Sequence, residues 1–228
     1  MASMSRAVLH YTYPDTTFTE VTVQHEEVAG WTCIFVLSSS VSDSPNLSTM
    51  ITKAMARLGG DNSQWNISVR FRFHHFPVQV AACNFFYDYG YTADVLDTIH
   101  GDPDTVIVLS LWAHFTTEPL EMFRSRLHAI RDAVHRLKRR SPGTQVFVRT
   151  GTTRDHAQGK LEFYLLNSDW LAYQITEVIR EMFRADPDVV VLDTWDMSVC
   201  QPGKDNVHPD QTMVDSQLNR LLSHICPN

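Results

Sequence analysis

Residues 106–148 read VIVLSLWAHFTTEPLEMFRSRLHAIRDAVHRLKRRSPGTQVFV, and this stretch holds one complete structural repeat. Val106–Leu111 is a solidly apolar run, too short for a helix and not alternating, as expected of a strand buried on both faces. Leu120, Phe123, Leu127, Ile130, Val134 and Leu137 then recur at spacings of three and four, which predicts a long amphipathic helix. Thr117 before Glu118-Pro119 predicts its cap, with proline in the first turn. Ser141-Pro142-Gly143 predicts its stop, and Val146–Val148 reads as the next strand.

The same alternation runs outward in both directions. Cys33–Leu37, Val69–Phe73 and Val189–Leu192 read as further strands. Helical spacing recurs in Trp170, Leu171, Ile175, Val178, Ile179, Met182 and Phe183, ending at Asp186-Pro187, and in Val214, Leu218, Leu221, Leu222 and Ile225. Weaker helices are expected at Leu47–Leu58 and Thr92–His100. Repeated strand and helix predict an α/β fold, a three-layer sandwich with a mostly parallel sheet of about five strands. Residues 31–228 read as one domain, and residues 1–30 as an N-terminal extension, either an extra strand or loose.

The chain has 228 residues with 43% hydrophobic and 20% charged content, ordinary for a globular domain. A net charge of −7 excludes non-specific nucleic-acid binding as a function. The basic run His135–Arg140 closes a helix, where cations oppose the helix dipole, and reads as a solvated helix end. No apolar stretch reaches the ~18 residues of a membrane span, and no signal peptide is visible at the N-terminus. Cys33, Cys83, Cys200 and Cys226 lack the spacing of a zinc site. A Cys200–Cys226 bridge and free buried thiols are both open readings. Asn46-Leu47-Ser48 and Asn66-Ile67-Ser68 are glycosylation sequons, of a kind that chance also supplies.

In an open parallel sheet the functional residues collect beyond the C-terminal ends of the strands. Four segments fall there: Ser38–Pro45, Trp112–Thr117, Thr150–His156 and Thr194–Pro209. The last contains Asp205 and His208, three apart, followed by Pro209. On one turn the carboxylate can orient the imidazole while the other ring nitrogen faces a nucleophile, which is the base half of an acyl-transfer site. His74 and His75 are adjacent and would point to opposite faces of a strand, so they do not ligate a metal together. Asp205, His208 and Asp210 lack further His or Cys ligands nearby, so no metal and no cofactor is expected. Trp112, Trp170 and Trp195 read as core residues first and as lining of an acyl or sugar pocket second.

The segments VIVLSLWAHFTTEP (106–119), VVVLDTWDMSVC (189–200), DNVHP (205–209) and LLSHIC (221–226) together resemble the NXPE family, in its C-terminal PC-esterase domain. HHFPV (74–78), RSPGTQVFVRT (140–150) and SDWLAYQ (168–174) extend the likeness. The resemblance implies an SGNH, or GDSL-like, hydrolase fold with flavodoxin-like strand order. It implies Asp205 as the orienting acid, His208 as the general base and His114 as the residue facing the oxyanion or substrate. It implies an acyl-ester hydrolase or O-acyltransferase acting on O-acetyl groups of an acylated glycan or glycoprotein. The implied setting is the secretory-pathway lumen or the extracellular space, with the cytoplasm left open by the lack of a visible signal.

The family pattern places a Gly-Asp-Ser after the first strand, where this chain has Ser42-Asp43-Ser44. Ser44 is therefore the expected nucleophile. The turn favours glycine, and Pro45 supplies no amide N–H and biases Ser44 toward an extended backbone. A Ser-rich loop capping the following helix is the competing reading of this stretch. A catalytically impaired relative, or a non-enzymatic binding or signalling module on the same fold, is the alternative function.

Overall fold

The computed structural model describes residues 5–13, 16–25, 32–36, 57–62, 67–72, 91–113, 115–153, 165, 168–201 and 209–225, with side chains from Tyr91 onward, Gln211 apart. The strands are β1 (Ser5–Tyr13), β2 (Thr16–His25), β3 (Thr32–Val36), β4 (Arg57–Asn62), β5 (Ile67–Arg72), β6 (Thr105–Ser110), β7 (Gln145–Arg149) and β8 (Val190–Leu192). The helices are α1 (Thr92–Thr98), α2 (Leu120–Arg140), α3 (Asp169–Phe183), α4 (Trp195–Cys200) and α5 (Gln211–Ile225).

Six strands form one sheet in the order β4-β5-β3-β6-β7-β8. All neighbours are parallel except β4, which runs antiparallel to β5. The five parallel strands, numbered along the chain, lie in the order 2-1-3-4-5, so the flavodoxin-like order expected from the sequence is present. The five apolar runs all became strands. β4 is the addition, because Arg57-Leu58-Gly59-Gly60-Asp61-Asn62 carries little strand signal and is held by pairing with β5. Arg57 and Leu58 therefore extend rather than close the helix expected at Leu47–Leu58, whose other residues lie outside the described ones. In residues 1–30, β1 and β2 pair with each other as an antiparallel hairpin, from Ser5↔His25 to Tyr13↔Thr16.

The pleat explains why the central strands are apolar throughout. Ile107, Leu109, Val146 and Val148 face one side, where they pack with residues of α1, α2 and α3 such as Leu96, Leu127 and Ile179. Val106, Val108 and Phe147 face the other, against Leu221 and Ile225 of α5. This makes the three layers.

α2 starts later than its sequence suggests. Pro119, not Thr117, is the N-cap, and no side chain caps it. Two tight turns precede it, with Phe115 N–H donating to Trp112 C=O and Glu118 N–H to Phe115 C=O, both at 3.0 Å. Thr117 is left exposed on the second turn, away from the capping position. At the other end the basic run is engaged rather than merely solvated. Arg136 forks onto Asp97 at 2.9 and 2.7 Å. Lys138 Nζ donates to Thr144 C=O at 2.9 Å, and Arg140 donates to the carbonyls of Ile99 and Leu96. These contacts fasten α1 and the start of β7 to the end of α2.

Candidate functional site

The strand order reverses between β3 and β6, which are adjacent and in register from Thr32↔Thr105 to Val36↔Leu109. In such sheets the crevice beyond this switch point is where ligands bind. The segment carrying Ser44 leaves the end of β3, and the segment carrying His114 leaves the end of β6. Ser44, His114, Asp205 and His208 themselves all lie outside the described residues. So do His74, His75, Cys83, Cys226 and both sequon asparagines. What is described is the frame from which the candidate site hangs.

That frame is a continuous polar network along the ends of β7 and β8. Thr194 N–H donates to Thr150 Oγ1 at 2.9 Å, and Thr194 Oγ1 also donates to Thr150 C=O at 3.2 Å. Thr153 N–H donates to Ser198 Oγ and Thr153 Oγ1 to Ser198 C=O, each at 2.9 Å. The segment after β7 is thereby bonded to α4, which occupies part of what the sequence suggested was loop. Arg180 on α3 grips Asp193, just past β8, with Nε to Oδ2 at 2.7 Å and Nη2 to Oδ1 at 2.9 Å. Burial raises the Asp193 carboxyl, but Arg180, the Trp195 N–H and the Thr150 hydroxyl outweigh it and hold it below its ordinary value.

Gly151 belongs to this frame by close approach. A Cβ there would sit 2.9 Å from Thr176 Oγ1 and 3.4 Å from Trp112 Cδ2. Thr176 is fully buried and accepts the Gly151 N–H at 3.1 Å, so it cannot swing away without breaking that bond. Gly151→Ala is expected to cost about 1–2 kcal/mol through overpacking, read as a lowered midpoint in urea unfolding with an unchanged slope.

The segment carrying Asp205 and His208 is closed at its neck. Gln201 Nε2 donates to Asp210 Oδ1 and Oδ2 at 3.3 and 3.1 Å. Asp210 Oδ1 also accepts the Met213 N–H at 2.8 Å, as a cap for the first turn of α5. One carboxylate thus ends the segment, starts the helix and ties both to α4. Below it, Arg149 donates to Gln217 Oε1 at 2.8 Å and to Ser110 Oγ at 3.2 Å. No carboxylate is among these partners, and desolvation pushes its guanidinium pKa down to about 10. Glu118, after β6, is also buried; desolvation raises its carboxyl, and Arg126 at 3.1 Å offsets part of the rise.

The three tryptophans separate. Trp112 is core, Trp195 is half-buried against it, and Trp170 is 64% exposed, which corrects the core reading for that residue. Cys200 is a free and exposed thiol, so neither a bridged nor a buried state describes it. One group of metal-ligand type is found among the described residues, at the opposite end of the sheet: His135, Asp186 and Asp188. His135 Nε2 and Asp188 N–H already engage the Asp186 carboxylate, at 2.9 and 3.0 Å. Arg131, Lys138 and Arg139 line the same cavity of about 720 Å³, so this is a crevice of opposed charges rather than a cation site. No helix among the described residues is long and apolar enough to cross a membrane.

A family described as "NXPE family member 4-like, C-terminal domain" matches residues 32–226. A Streptococcus pneumonia protein named for platelet activating factor superposes with a TM-score of 0.55 at 13% identity, covering 88% of this chain and 86% of that one. A Slackia heliotrinireducens protein named as an SGNH hydrolase does so at 0.47 and 14% identity, over 85% and 98%. A carbohydrate esterase family 3 protein from Talaromyces cellulolyticus follows at 0.46 and 13% identity, over 86% and 98%. The first of these shows a shared fold and nothing of the chemistry; the other two superpose more loosely.

Proposed function

The chain belongs to the NXPE family, matching its member 4-like C-terminal domain, and from that premise we propose that it is an acyl-ester hydrolase or O-acyltransferase working through a serine acyl-enzyme. The supporting observation is the closed neck at Gln201 and Asp210, which brackets the Asp205–His208 segment beyond β8. A base needs a fixed orientation to activate a hydroxyl, and the Gln201–Asp210 contact fixes the two ends from which its segment springs.

In this reading His208 takes the proton of Ser44 as its oxygen attacks the acyl carbonyl. Asp205 orients the imidazole and stabilises the imidazolium. His114 faces the oxyanion of the tetrahedral intermediate, whose collapse expels the alcohol with the proton returned by His208. Water or a sugar hydroxyl then accepts the acyl group, and that choice separates hydrolysis from transfer. The substrate is an O-acetylated glycan or glycoprotein met in the secretory-pathway lumen or outside the cell.

A second reading has its own observation. Ser42 stands where the family pattern has glycine, and Pro45 removes an amide N–H from the nucleophile turn. On that reading the fold persists as a binding module without a nucleophile. A serine-reactive fluorophosphonate separates the two. Covalent labelling of the intact protein, abolished in Ser44→Ala, is the expected result. Absence of labelling on the intact protein would favour the module, and labelling that survives Ser44→Ala would move the nucleophile elsewhere.

A further inference from the structure

Trp170, Tyr173 and Trp195 form a ladder of aromatic rings on the same edge of the sheet as the candidate site. Trp170 and Tyr173 lie in the first turns of α3, and Trp195 opens α4, immediately beyond β8. The Trp170 and Tyr173 rings are near-parallel, with centroids 6.4 Å apart and 29° between planes. Tyr173 and Trp195 are 5.4 Å apart and tilted by 59°. Trp170 is 64% and Tyr173 37% exposed, while Trp195 packs against the core. The ladder therefore descends from open surface to the strand ends.

Its base is rigid. Ser168 caps α3 by accepting the Leu171 N–H, and Arg180 on the same helix clamps Asp193, two residues before Trp195. Rings held this way lose little entropy when something stacks on them. Exposed large aromatics in a row are unusual on a globular surface and mark a place where an apolar face is received.

We propose that this ladder is a binding platform for a neutral pyranose chain, seating it beside the acyl-transfer site. A pyranose ring offers a face of C–H bonds that stacks on an indole, and its hydroxyls seek acceptors at the rim. The residues beside the rings, Asp169 and Asp196, are acidic, and the chain carries −7. That charge disfavours a nucleic-acid strand, which would also stack but needs cations. It equally disfavours an anionic lipid surface. A neutral polyhydroxylated ligand fits both the apolar rings and the acidic surroundings. The platform rests on the ester-chemistry reading for its purpose, though not for its binding.

The test is calorimetric titration of the whole chain with the neutral hexasaccharide chitohexaose and with the charged hexasaccharide of hyaluronan. Saturable binding of chitohexaose is expected, weakened roughly tenfold or more in Trp170→Ala and restored in part by Trp170→Phe. Met122→Ala, an exposed apolar residue on α2, serves as the control and should bind as the parent does. Because Trp170 is exposed, thermal melts of the variants should match the parent and exclude misfolding as the cause. No saturable binding of chitohexaose, binding unaltered in Trp170→Ala, or tighter binding of hyaluronan would each overturn the proposal. The titration needs no turnover, so it stands apart from fluorophosphonate labelling. A protein that binds chitohexaose but resists the label keeps the platform and loses the enzyme.

Discussion

His208→Ala is expected to slow covalent labelling by a fluorophosphonate, and hydrolysis of an activated acetate ester, by on the order of 10⁴-fold. A serine hydroxyl is a poor nucleophile until a base takes its proton, and no second base is placed beside Ser44 by the reading above. What survives in the variant is the modest rate supplied by binding and by donors to the oxyanion. Losses within one catalytic unit do not add, so in ester hydrolysis Ser44→Ala with His208→Ala should be scarcely slower than either alone. Asp205→Asn should sit between the parent and His208→Ala, since it keeps the base but leaves its ring in the wrong tautomer. The measurements are the ester-hydrolysis rate of all five proteins and the second-order labelling rate of the three that keep Ser44, under one condition. A His208→Ala rate within tenfold of the parent would remove His208 from the mechanism.

Arg180→Ala should be the most costly change in the frame around the site. Its guanidinium makes two N–H···O bonds to one carboxylate, the bidentate geometry in which Arg–carboxylate pairs are strongest. The two side chains are 15% and 31% exposed, so the pair is partly rather than fully desolvated. Removing one partner of a fully buried pair costs about 3–5 kcal/mol, and the exposure of Asp193 reduces this to roughly 2–3 kcal/mol. In a chain of this size that corresponds to a melting point lower by roughly 5–10 °C. Arg180→Lys should recover only part, because an ammonium cannot fork.

The same pair sets a pH signature. The Asp193 carboxyl titrates below its ordinary value of 3.8 in the folded protein. A carboxyl depressed by folding contributes stability above its unfolded pKa and surrenders it as pH falls through the folded value. The gap between parent and Arg180→Ala should therefore be widest near neutrality and should close below about 3.8. Melts of both proteins between neutral and strongly acidic buffer will show it. A gap that stays constant down to the acid end would mean that Arg180 stabilises through packing alone.

Strand positions were legible because strands buried on both faces leave runs such as Val106–Leu111 that no amphipathic pattern imitates. β4 was not, since Gly59 and Gly60 have no strand preference and only the partner strand makes them one. The start of α2 was misplaced by one rule outweighing another: Thr117 is a good cap in isolation, but the two turns from Trp112 to Glu118 deliver Pro119 to that position first. Trp170 misled for a related reason. It belongs to the same apolar-rich run as Ile175 and Ile179 but lies five and nine residues before them, on the opposite face of α3 with the exposed Tyr173 and Glu177.

In the candidate site, Asp205 and His208, which lie outside the described residues, were singled out by a local sequence pattern, three apart before Pro209. The residues that tie their segment down could not be. Gln201 and Asp210 are common polar types, and their relation appears once α4 and α5 bring them together. The threonines at 150, 153 and 194 are equally unremarkable in a list and become a network because β7 and β8 end side by side.

β8 closes one edge of the sheet with three residues, Val190–Leu192, before the chain turns into α4. An unpaired edge is an open template on which a strand from another molecule can dock, and the hazard grows with its length. Three residues offer a foreign strand too few hydrogen bonds to compensate for its ordering. The chain that turns away to build the polar frame thus also keeps this border of the sheet too short to seed the piling of strand upon strand.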